Sequence, residues 1–241
     1  MKLKLASAIA IRIAIVLAVI PSFLSSYFVP FLNHVDFEID NWSSWVDLGG
    51  DSQSFPYGLA MLLAYFPSLI ISEFIQFLHI GPERALEISV GFQMIAIEFF
   101  FWRHIAKTKS MKQSLNIFLF SPLIIWVNYF LGLNDFFPSV SLFIASYLLL
   151  NHKYRLAGVF LGFAIGMKFS LALVLPFLIL FAWDNPRFKR KIWTTSIYSL
   201  TVGGLLYLPG LYSDGFRQMV FNNKESVKAL GYFVQFGNSR I

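Results

Sequence analysis

Long apolar runs dominate the chain and are separated by short polar intervals. They occupy about residues 5–27, 56–80, 85–102, 114–131, 136–150, 156–182 and 192–211. Within each run the apolar residues are continuous rather than alternating, which favours helices over the strands of a membrane barrel. A hydrocarbon core of about 30 Å is crossed by roughly 20 apolar residues in a helix, and several runs reach that length. The pattern predicts an all-α, polytopic helical membrane protein of about seven apolar segments.

Two runs carry an internal break. One lies in "LAYFPSLI" at Pro67, and the other in "FAIGMKFSLA" at Gly166 and Lys168. Proline removes a backbone donor, and lysine resists the bilayer centre. Basic clusters at Lys2 and Lys4, at Arg103–Lys112, at Lys153–Arg155 and at Arg187–Lys191 all belong on the cytoplasmic side by the positive-inside rule. Three runs separate the first two clusters and one run separates the last two. One broken or re-entrant helix in each interval restores an even number of crossings; the alternative is that one basic loop faces outward. Such elements persist in a membrane only where they line protein or a water-filled cavity. The N-terminus is then inside, and the 28–55 loop, "GLND" (Gly132–Asp135) and the residues from Tyr212 onward are outside.

Composition agrees with this picture. Of the 241 residues, 57% are hydrophobic and 13% charged, about half the charged fraction of a soluble domain. The net charge of +6 comes mostly from short loops between apolar runs, so it reads as membrane topology rather than nucleic-acid binding. There is no cysteine, which excludes disulfides, thiol catalysis and cysteine-ligated zinc. The cytoplasmic loops are too short for a nucleotide-binding domain, and neither a P-loop nor GxGxxG occurs. Chemistry, if present, belongs at the outer face. The N-terminal "MKLKLASAIAIRIAIVLAVIPSF" has the basic start and apolar core of a signal peptide. Its length and the interruption at Arg12 favour an uncleaved first helix.

The polar interval "HVDFEIDNWSSWVDLGGDSQSFPYG", His34 to Gly58, gathers Asp36, Glu38, Asp40, Asp47 and Asp51, five of the thirteen acids. Read as a helix, His34–Leu48 puts Val35, Ile39, Trp42 and Val46 on one stripe. Asp36, Asp40 and Asp47 form its neighbour. Tryptophan favours the membrane boundary, so the segment is expected to lie on the outer surface with its carboxylates at headgroup level. A carboxylate there can act as general base for an incoming hydroxyl, or two acids one turn apart can hold a divalent cation against a phosphate. A solvated acidic face has the same pattern. The "FPYG" that follows (Phe55–Gly58) reads as a helix start.

In the second half, Asp135 can supply another carboxylate or cap the helix from Phe136 to Leu150. Lys168 can hold a lipid phosphate as a point charge, or snorkel from the end of a short helix. Glu87 and Glu98, eleven residues apart, share a helix face. They are the residues a proton-coupled transporter would use. From 213 to 241, Val220, Val227, Leu230 and Val234 accompany Arg217, Lys224 and Lys228, the pattern of an outer interfacial helix whose cations suit a lipid phosphate.

Taken in order, these pieces resemble the GT-C class of integral-membrane glycosyltransferases over about residues 5–212. The carriers are the first helix, the acidic outer loop, "FPYG", the stretch from Pro122 through "GLND", the basic turn, and Gly162, Gly166, Lys168 and Pro176 in a G-x-x-x-G-x-K…P pattern. The resemblance is closest to polyprenyl-phosphate-sugar-dependent mannosyl- and hexosyltransferases of bacterial envelopes. It implies a lipid-linked sugar donor, a glycan or lipid acceptor, an outward-facing site in the cytoplasmic membrane and an inverting displacement. It also implies an acidic residue of the first outer loop acting as base or electrostatic anchor. Asp40, beside Trp42, is the first match for that residue and Asp36 the second. Lys168 matches the lysine at the broken helix, with Asp135, Arg217 and Trp42 as further substrate contacts. No metal ligand is assigned. Members of the class usually continue with more helices or a soluble domain, which leaves open a truncated enzyme, a fragment that needs a second membrane subunit, or an inactive relative. The rival reading is a non-catalytic membrane subunit, or a lipid-carrier transporter that retains the fold.

Overall fold

A computed structural model describes residues 2–36, 40–101, 119–184 and 186–222. Glu38, Ile39, the basic cluster Arg103–Lys112 and the tail positions Lys224, Val227, Lys228, Leu230 and Val234 lie outside them. The described residues are helical, with no strand among them. The chain divides into two compact units, one of Met1–His34 with Tyr65–Phe136 and the other of Val35–Ala64 with Phe137–Ile241.

In the first unit, α1 (Lys2–Ala18) ends well before the apolar run does. The chain leaves the helix before Pro21, which cannot donate to the preceding turn. It resumes as a π-helical turn, Leu24–Phe28, and α2 (Val29–Leu32). This break was not among those expected at Pro67 and at Gly166–Lys168. The carbonyls it exposes are taken up by one side chain. The Arg84 guanidinium donates to Val16 O and Val19 O at 2.8 Å each and to Leu17 O at 3.0 Å. An arginine at a helix C-terminus satisfies orphan carbonyls and favours the negative end of the dipole.

The second unit contains α3 (Asn41–Asp47), far shorter than the expected His34–Leu48 helix. α4 (Leu59–Gln76) follows, with the division between the units falling inside it. Pro67 sits within α4 without breaking it, contrary to expectation. A single missing donor removes one helical bond, and the neighbouring turns hold the rest. The helix starts after "FPYG" rather than within it.

α5 (Pro82–Phe100) belongs to the first unit and packs on α1, with Val16 against Gly91. α6 (Pro122–Ile125) runs into a π-helical segment, Trp126–Leu131, closed by Gly132 in the left-handed region. Arg12, from the middle of α1, donates to Glu98 of α5 at 2.5 Å. Its guanidinium lies 5.5 Å from the Tyr129 ring centroid. Glu87, about three turns earlier on the same face, pairs with Arg84 at 2.8 Å. Both glutamates are buried, as expected for residues lining a helical interior.

The rest of the second unit comprises α7 (Phe136–Leu150), α8 (Tyr154–Met167), α9 (Val174–Asp184), α10 (Pro186–Leu206) and α11 (Asp214–Phe216). Asp135 immediately precedes α7, at the position of a cap, and falls in the first unit. The expected break after Gly166 is present. α8 stops at Met167, Lys168 is extended (φ −142°, ψ 104°), and a 3-10 turn, Phe169–Leu173, leads into α9. Ala145, Leu161, Ile165 and Leu175 form the core that joins α7, α8 and α9.

α8 and α10 approach closely through Gly158, Gly162 and Gly166, which face Thr195, Val202 and Leu206 respectively. Small residues four apart allow such an approach. A Cβ on Gly162 would lie 2.7 Å from Val202 Cβ and 2.8 Å from Ser199 O, whereas one on Gly204 meets nothing within 4 Å. Gly162→Ala is therefore expected to destabilise by about 1–3 kcal/mol. Gly204→Ala, in a helix interior, is expected to be neutral or to stabilise by about 0.5–1 kcal/mol. Thermal melts of the two variants check this, and equal shifts would contradict the packing.

Candidate functional site

The acidic loop of the second unit is held at both ends. At its start, Asp40 is the N-cap of α3, and its Oδ1 accepts from Ser43 N at 3.1 Å. The same oxygen accepts from Ser213 Oγ at 2.6 Å. Ser213 caps α11 in turn, accepting from Phe216 N at 2.9 Å. Ser43 Oγ accepts from Gly215 N at 3.0 Å. Two short helices thus cap one another through Asp40, Ser43 and Ser213. Only glycine fits at 215, because a Cβ there would collide with the backbone of Trp42 and Ser43.

At the other end, a Cβ on Gly58 would lie 2.9 Å from Gly166 O and 3.2 Å from the Tyr207 ring. The glycine of "FPYG" therefore seats the loop on the broken helix. Tyr207, just past α10, donates to Ile165 O at 3.1 Å. Its ring meets Phe169 edge-on at 6.1 Å and Phe216 at 6.3 Å, and Phe216 meets Trp42 at 5.0 Å. A continuous aromatic wall runs from the residue after Lys168 to the residue two past Asp40.

In the second unit Asp40 and Trp42 lie at one end of this wall and Phe169, the chain neighbour of Lys168, at the other, while Arg217 follows Phe216 and Asp36 stands at the start of the loop. Asp135 belongs to the first unit.

Several expectations change. Asp36, Asp40 and Asp47 do not form a helical stripe, because α3 begins only at Asn41. Asp36 is exposed, and its backbone N–H donates to Asn41 Oδ1 at 3.3 Å. Trp42 is buried against Phe216 rather than standing at a surface. Arg217 pairs with Asp214, and its Nη1 donates to Leu211 O at 3.2 Å and Gly210 O at 3.3 Å. The stretch just past 212 packs inward, with Phe216 and Met219 fully buried.

Asp40 is pulled two ways. Partial burial, the largest single influence, raises its pKa. The hydrogen bonds from Ser213, Ser43 and Trp42 together outweigh it and leave the carboxyl below the usual aspartate range. A carboxylate so stabilised is a weak base and a strong clasp. Because its folded pKa is depressed, the stability it adds is present above the unfolded value of about 3.9 and disappears as pH falls through the lower folded value. Protease sensitivity of the 35–58 loop is expected to stay flat from about pH 7 to 5 and to rise only below about pH 4. Ser213→Ala should move that rise to higher pH. A rise near neutrality in the unsubstituted protein would contradict the clasp.

Ser43, Ser213, Gly215 and Tyr207 were not singled out from the sequence. The only local signal was "SDG" at 213–215, a capping and turn pattern. No family model, curated protein or solved structure matches the chain.

Proposed function

We propose that the chain is a multi-pass membrane protein that transfers a sugar from a polyprenyl-phosphate donor to an envelope glycan or lipid at the outer face. Support for the membrane comes from apolar surface. α4 is long and apolar enough to cross a bilayer, and shorter apolar helices include Leu5–Ala18, Phe136–Leu150, Tyr154–Met167 and Phe169–Leu180. Large side chains such as Phe74, Phe77, Leu123, Phe169, Leu173, Phe177 and Leu200 stand exposed. Exposed side chains of that size suit a hydrocarbon surround.

The observation that carries the transfer reading is the acidic loop pinned over the break at Lys168, with the aromatic wall between. Aromatic faces suit a sugar or prenyl chain, and the cation suits a phosphate. In the proposed step the acceptor hydroxyl oxygen attacks the sugar's anomeric carbon, whose bond to the phosphate oxygen breaks. The hydroxyl proton passes to Asp36, and Lys168, with Arg217, stabilises the charge on the departing polyprenyl phosphate. Asp40 serves as positioning residue and electrostatic anchor. The base role moves to Asp36 because the Asp40 carboxylate is committed to the cap of α3 and to the Ser213 hydroxyl and is weakly basic. Transfer of a sugar from polyprenyl-phosphate donors, followed by mass spectrometry for the unsubstituted protein and for Asp36→Asn, tests the reading.

A further inference from the structure

The turn between α7 and α8 is built around Tyr154. Leu148 O and Tyr147 O accept from Lys153 N and Asn151 N and close the turn. His152, at φ 60°, sets its Nδ1 2.9 Å from Tyr154 Oη. Tyr154 O accepts from Thr195 Oγ1 of α10 at 3.0 Å, and Lys191 Nζ stands 5.2 Å from the Tyr154 ring centroid. Contact through Tyr154 thus carries the basic start of α8 to the basic start of α10. Lys153, Arg155, Lys189, Arg190 and Lys191 are all exposed at this end. Asp184 is the only acid between residues 136 and 213. The cations are rimmed by exposed apolar side chains, with Leu150 at 80%, Leu156 at 50% and Trp193 at 46%.

We infer that this end of the second unit is a docking site for the headgroup of an anionic phospholipid. Charge complementarity carries the choice of occupant. Five exposed cations on two helix starts joined through Tyr154 attract a phosphate, and the apolar rim continues from them as acyl chains continue from a headgroup. Tryptophan and tyrosine beside lysine and arginine are the side chains that anchor at that depth. The aromatic ring fixes Lys191 and the Thr195 bond fixes the turn, so the charges form a defined surface rather than a loose tail. The site rests on the membrane reading above and is independent of the transfer reaction.

The test is native mass spectrometry of protein released from bilayers of equal phosphatidylglycerol and phosphatidylcholine. Retained lipid should be predominantly phosphatidylglycerol. Each Lys or Arg near a membrane surface contributes about fivefold in affinity, so the Lys153→Gln/Arg155→Gln/Lys191→Gln variant should lose that preference by tenfold or more. A control removes the same charge from another basic cluster of the sequence, as Lys107→Gln/Lys109→Gln/Lys112→Gln, and should keep it. Equal loss in both variants would reduce the site to bulk charge and overturn it. Displacement of the lipid by millimolar inorganic phosphate would assign the cluster to a soluble anion instead. Recovery of the protein outside the bilayer fraction would overturn the membrane reading itself, an outcome distinct from bilayer insertion without lipid preference.

Discussion

Glu98→Gln or Arg12→Met alone is expected to lower stability by about 3–5 kcal/mol, the usual cost of leaving one charge of a buried pair uncompensated. Arg12 is 1% and Glu98 5% exposed. Their 2.5 Å contact joins α1 to α5, and an apolar surround raises the cost of a lone charge. The double variant Arg12→Met/Glu98→Leu should recover most of the loss, because two apolar side chains of similar size replace a pair that is itself expensive to bury. Unfolding measurements on the four proteins of this cycle give the coupling directly. Strict additivity of the two single losses would show that the pair does not hold the helices together.

Asp36→Asn is expected to reduce sugar transfer by about 10²–10⁴-fold, the range a general base contributes, while leaving the loop as protease-resistant as in the unsubstituted protein. Asp40→Asn should act differently. It weakens the acceptor shared by Ser43 N and Ser213 Oγ, so transfer falls and the 35–58 loop becomes easier to cleave. The opposite pattern, with an intact loop and abolished transfer in Asp40→Asn and near-normal transfer in Asp36→Asn, would return the base role to Asp40.

The helical class was legible because continuous apolar runs have only one local solution. The break at Lys168 was legible for a related reason, since a charge and a glycine interrupt an otherwise apolar run. Pro67 misled because proline removes only one bond from a helix whose other turns hold. The break before Pro21 was missed because the carbonyls it frees are satisfied by Arg84, whose contacts lie more than sixty residues away along the chain. Arg12 and Glu98 were each visible as polar residues in apolar runs, but a partner 86 positions away cannot be read from one sequence. The acidic loop was seen as a helix because its spacing fits one. Asp40 instead prefers to cap, and capping ends the helix on its N-terminal side. What seats the loop against the end of the helix at Gly166 and against the turn at Gly215 is the fit of Gly58 and Gly215 against neighbouring backbone, a property of packing rather than of pattern.

The loop pinned over the broken helix is the proposed sugar-transfer site. It is tested most directly by incubating the purified protein in lipid with a panel of polyprenyl-phosphate sugars and a mixed glycan acceptor, alongside Asp36→Asn and Lys168→Gln, and weighing the products. New glycan mass from the unsubstituted protein, and none from either variant that still inserts and folds, is the predicted result. Equal product from all three would contradict the site, and no product from any would favour the non-catalytic subunit or lipid-carrier reading.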